Sequence, residues 1–176
     1  ETLSRLFREA IQYIFRRKMP ELSQEEVSDV VIAIGKVGLE GLVSPEQRLS
    51  FREGEFEESV LDKAIQAGIL TSRRVVKWRD THSNVQFIHK TLQEYCAAMY
   101  CQSLVSNGDG EFQKILEKLG DPLEFEYLLR FCCGDNQQCR EQIMRMFSHE
   151  GVLQTDDEDY KISAERSEEH TSELQS

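Results

Sequence analysis

Apolar residues recur at helical spacing from the first turns of the chain. Leu3, Leu6, Phe7, Ala10, Ile11, Ile14 and Phe15 form one stripe, Arg16-Arg17-Lys18 suit a last turn, and Pro20 ends it. Ser23 and Glu26 have capping-box spacing and open a second helix to about Leu42, with Val27, Val30, Val31, Ile34, Val37 and Leu39 inward. Gly35, Gly38 and Gly41 lower its propensity, so close packing has to compensate. Residues 49–52 read as a short edge strand, and 55–67 as a helix ending at Gly68. Two β-prone runs, 73–78 and 84–88, flank a polar loop over 79–83.

The run from Phe87 to Tyr100 joins strand to helix, with His89 at the junction. Leu92, Tyr95, Cys96 and Met99 recur at i, i+3, i+4 and i+7, predicting one apolar face, and Thr91 with Glu94 predicts a second capping box. Glu94 then caps, Tyr95 packs, Ala97 and Ala98 allow close helix contact, and Lys90 is solvated. Asn107-Gly108 supplies the stop. A helix N-terminus beside His89 favours an anion, because its free N–H groups and dipole point outward. Three shorter helices are predicted over 111–119, 123–133 and 136–149, punctuated by Asp121-Pro122 and Gly134-Asp135. Residues 151–165, acidic at 156–159, read as loop or linker. The fold class is mainly α, with helix, helix, hairpin, helix in winged-helix order, followed by a helical domain.

Composition narrows the function classes. A formal net charge of -11 argues against a nucleic-acid footprint or a polybasic membrane contact. No apolar run approaches the ~20 residues a membrane span needs. Five cysteines (Cys96, Cys101, Cys132, Cys133, Cys139) lack disulfide-scaffold spacing, which points to a reduced, cytoplasmic compartment. Residues 166–176 correspond residue for residue to a translated sequencing adapter. They are set aside as an artefact; read otherwise, they form a polar disordered tail.

The run Phe87-Ile-His-Lys-Thr-Leu-Gln-Glu-Tyr-Cys-Ala-Ala-Met-Tyr100 resembles the F-x-H-x-(S/T)-x-Q-E-(F/Y)-x-A-A-x-Y signature of NACHT-type NOD-like receptors (NLRs), where it closes the winged-helix domain. Residues 34–41 resemble that domain's opening helix, 51–56 and 64–70 its middle segment, and 128–134 a helix of the second helical domain. The resemblance implies that 1–20 ends a first helical domain, 21–106 is the winged helix, and 107–150 is part of the second helical domain. It implies a regulatory role in innate immunity or cell death: closing over an upstream nucleotide-binding domain, sensing the β-phosphate of ADP through His89, and releasing on ATP so that protomers oligomerise. The family pattern is incomplete. There is no G-x-x-x-x-G-K-(S/T), no acidic Walker B strand and no leucine-rich repeat. The nucleotide fold is therefore expected upstream, and this segment alone should bind nucleotide poorly and hydrolyse nothing.

Three other readings compete. A cysteine enzyme is disfavoured because Cys96 lies seven residues from His89, ~10 Å apart by helical rise, and no metal-ligand spacing supports a zinc site. A nucleic-acid-binding winged helix is disfavoured by Glu55, Glu57, Glu58 and Asp62 against one Lys63 on the helix that would read DNA. The hairpin, however, offers Arg73, Arg74, Lys77 and Arg79, a basic patch suited to an acidic surface of the same parent protein. A helical protein-interaction module without nucleotide sensing would leave His89 replaceable.

Overall fold

The computed structural model describes residues 2–108 and 110–148, and the backbone of 153–156 and 159–162. Among them are α1 (Leu3–Lys18), α2 (Gln24–Leu42), β1 (Ser50–Arg52), α3 (Glu58–Ala67), β2 (Leu70–Lys77), β3 (Asp80–Phe87), α4 (Lys90–Asn107), α5 (Glu111–Lys118), α6 (Glu126–Gly134), α7 (Gln137–Phe147), β4 (Leu153–Asp156) and β5 (Asp159–Ile162). Short 3-10 turns at Glu53–Glu55 and Pro122–Phe125 precede α3 and α6. The protein is thus mainly helical, with a three-stranded antiparallel sheet of order β1-β3-β2.

α4 lies at the centre. Seven consecutive residues, Leu92 to Ala98, are buried, so the helix is covered on all sides rather than along the one face its spacing suggested. α2 packs against it where an added Cβ on Gly35 would come within 2.0 Å of the Cys96 carbonyl oxygen. The glycines of α2 do allow close packing: at Gly41 a Cβ would meet the Arg48 carbonyl and the Phe51 ring at 2.6 Å. The capping box at Ser23 forms as expected, its hydroxyl accepting from Glu26 N–H and the Glu26 carboxylate from Ser23 N–H.

Phe7, Tyr95 and Phe131 bring α1, α4 and α6 together through ring contacts of 5.0–5.5 Å. Buried Ser4 donates to the Phe131 carbonyl at 3.3 Å, tying α1 to α6. One core cluster therefore draws on residues from all three segments expected as separate parts, 1–20, 21–106 and 107–150.

Several local expectations change. The two β runs are longer than predicted, and Trp78-Arg79 alone make the turn, because Thr81, His82 and Ser83 pair with Val76, Val75 and Arg74 instead of looping. α3 begins at Glu58, since Glu53–Glu55 is a 3-10 turn in which the Glu55 carboxylate accepts from Arg52 N–H at 2.7 Å. The α1 stripe is only half used: Ile11 and Phe15 are buried, while Leu6 is 53% exposed. Within the stretch read as a linker, β4 and β5 pair as an antiparallel hairpin. The adapter-like residues 166–176 lie outside the described residues.

Candidate functional site

β3 pairing sets the position of His89. Ile88 N–H still donates to Ile69 C=O at 3.1 Å, so the strand connection persists to Ile88 and the chain turns at the next residue. His89, with extended backbone (φ -144°, ψ 144°), is the N-cap of α4, and its carbonyl accepts from Leu92 and Gln93 N–H. This overturns the capping box expected at Thr91 and Glu94. The helix starts at Lys90, one residue before the expected cap, which turns Glu94 into the interior, where it is 6% exposed. No side chain caps the first turn, so its free N–H groups lie beside an exposed imidazole.

The surroundings of His89 differ along the chain. Ile88 and Leu92 line an apolar groove of 250 Å³ with Leu6, Phe7, Ala10 and Ile14 of α1. Lys90 lines a polar hollow with Pro45, Glu46, Gln47 and Glu124, and its ammonium donates to Gln47 at 3.2 Å. Lys90 is therefore exposed but engaged, being also 3.9 Å from the Glu94 carboxylate. Burial raises the Glu94 carboxyl above the ordinary range, and Lys90 only partly offsets it.

Behind the site, Gln93 is 1% exposed, and its amide donates to the Gly38 carbonyl at 3.0 Å and the Arg48 carbonyl at 3.2 Å. This clamp fixes the start of α4 to the end of α2 and the following turn. Gln93 was missed by sequence reasoning. The signal was a glutamine inside an apolar helix, which must find partners when buried.

The cysteine chemistry weighed from sequence has no geometric support. Cys96 is fully buried and its thiol is pushed up by burial, which disfavours the thiolate a nucleophile needs. Cys101, Cys132, Cys133 and Cys139 are likewise free and buried. A second hollow of 390 Å³, among the end of α4, α5 and α7, is lined by one charged side chain, Arg145, and offers no cluster of reactive groups. Among the described residues, no three His, Cys, Asp or Glu side chains converge as a metal site, and no helix is long and apolar enough to cross a membrane.

No protein-family profile matches the chain. Over 141 residues, 76% of this chain, it is 23% identical to NLR family CARD domain-containing protein 4 of Bos taurus. The chain spans 13% of the length of that relative. The similarity supports a distant relation to NLR proteins.

Proposed function

We propose that this chain is the regulatory segment of an NLR-type nucleotide switch, with 21–106 as its winged-helix domain and 107–150 as part of a second helical domain. It closes over an upstream nucleotide-binding domain of the same cytoplasmic protein, and His89 donates to the β-phosphate of ADP held there. The extra phosphate of ATP displaces the segment, and protomers then oligomerise. The observation that carries this reading is the exposed His89 at the uncapped N-terminus of α4, within a sequence run that resembles the receptor signature. Helix α3 speaks against duplex recognition, since its N-cap Glu57 and its own Glu58 and Asp62 are exposed.

The test uses a full-length receptor carrying this segment. His89→Ala should raise basal oligomerisation and speed ADP loss, because it removes a contact made only in the closed state. In the isolated chain the same change should alter stability by less than about 0.5 kcal/mol, as expected for an exposed side chain with no bonded partner among the described residues. Unchanged ADP retention with a monomeric resting state would refute phosphate sensing. The apolar groove beside Ile88 favours a second reading, an interaction module that docks a helix or loop there without touching nucleotide.

A further inference from the structure

The hairpin formed by β2 and β3 extends well past the core. Of the eight residues of β2, Leu70 alone is buried, and at the turn Val76 and Trp78 are 74% and 94% exposed. In the sheet order β1-β3-β2, one side of β2 has no neighbouring strand among the described residues. The Ile88 N–H to Ile69 C=O bond sets the alternation of the antiparallel ladder. In that register the N–H and C=O groups of Ser72, Arg74 and Val76 face outward. Among the described residues, none of residues 70–77 makes a backbone hydrogen bond outside the β2–β3 ladder.

The side chains along this edge are basic. Arg73, Arg74, Lys77 and Arg79 are exposed and have no ion-pair partner among the described residues, in a chain whose net charge is -11. Positive charge on a free edge repels a second copy of the same edge. The same charges attract a strand that carries carboxylates. A nucleic acid fits less well, because the base of the hairpin is acidic: Ser72 bonds Glu53 at 3.2 Å, and Glu55, Glu57 and Glu58 follow. An extended peptide can hold its carboxylates on the face of Arg73 and Lys77, opposite the Ser72–Glu53 side.

We propose that the free edge of β2 docks an extended acidic segment of a partner protein, added beside β2 as a fourth strand. Its backbone pairs with Ser72, Arg74 and Val76. Its carboxylates lie against Arg73 and Lys77, which share one face of β2, and on the other face Val76 with Trp78 covers an apolar residue near the turn. This docking is independent of nucleotide sensing at His89.

Trp78 is the chain's one tryptophan, so its fluorescence reports the edge directly. The full 176-residue chain is titrated with a synthetic peptide of alternating glutamate and valine. Saturable blue-shifted emission that weakens with salt is expected, together with no response to the same peptide carrying lysine for glutamate. The double variant Arg73→Glu, Lys77→Glu should bind about tenfold more weakly, as two reversed cross-strand charge pairs imply, with an unchanged circular dichroism spectrum. A glutamate-valine peptide N-methylated at alternate residues keeps its charge but loses the backbone pairing, and should also bind about tenfold more weakly. Equal binding by the N-methylated peptide would reduce the contact to charge alone and overturn strand addition. So would the absence of any response, or tighter binding of a single-stranded oligonucleotide than of the acidic peptide.

Discussion

Replacing Gly35 by alanine probes the contact that places α4. By helix propensity alone the change should stabilise α2 by roughly 0.8–1 kcal/mol. The structure reverses the sign. The new methyl would sit 2.0 Å from the Cys96 carbonyl oxygen and 2.6 Å from its carbon, about 1.4 Å short of ordinary contact at 3.4 Å. Both neighbours are backbone inside a buried helix, so no side chain can swing away; the two helices must separate. Overpacking of this kind costs about 1–3 kcal/mol, and a backbone clash belongs near the top of that range, leaving a net loss of about 1–2 kcal/mol after the propensity gain. Urea unfolding followed by circular dichroism reads this as a lower midpoint at unchanged slope. Gly54→Ala is the control, because a Cβ there meets nothing within 4 Å. A Gly35→Ala protein as stable as the parent would refute the close approach of α2 and α4, and with it the placement of the α4 N-terminus.

Gln93→Ala should cost about 1–3 kcal/mol, and Gln93→Glu more, since a carboxylate would face the Gly38 and Arg48 carbonyls; thermal melts rank them, and equal losses would contradict the clamp. The folded state favours the proton on Glu94, so this residue's contribution is best below its ordinary value of 4.5 and declines as pH rises from there through the raised folded value. Glu94→Gln should therefore gain on the parent over that window and then hold a constant difference, whereas parallel pH–stability curves would show that burial does not perturb the group. Burial pushes the Cys133 and Cys139 thiols up to about 12, so a thiol reagent at mildly alkaline pH should label almost no cysteine in the native protein and all five after unfolding.

What the sequence made legible was the local grammar. The Ser23 capping box, the Gly68 and Gly108 helix ends and the glycines of α2 all announce themselves within a few residues, and all take the expected form. The start of α4 did not, because a tertiary constraint outcompeted a local one. Pairing of Ile88 with Ile69 fixes where the strand stops, and the helix then begins before Thr91 can cap it. The wide burial of α4 was also hidden: Gln93 is polar in sequence, yet the end of α2 and the turn at Arg48 close over it, and Glu94, expected to cap, is buried beside it. For the candidate site, the residue was legible as a histidine between strand and helix. Its uncapped helix follows from the pairing of Ile88 with Ile69, and the neighbouring groove is built with α1, far upstream in sequence.

The bond from Ser4 to the Phe131 carbonyl closes a loop of 127 residues, and the ring of Phe7 closes one nearly as long. During synthesis at about 5–20 residues per second, α1 leaves its partner helix unmade for roughly 6–25 s. For that interval Ser4 and Phe7 lack the Phe131 they meet in the folded protein. Contacts so distant in sequence form late and slowly, so α1 gains its full set of contacts only after α6 has been made.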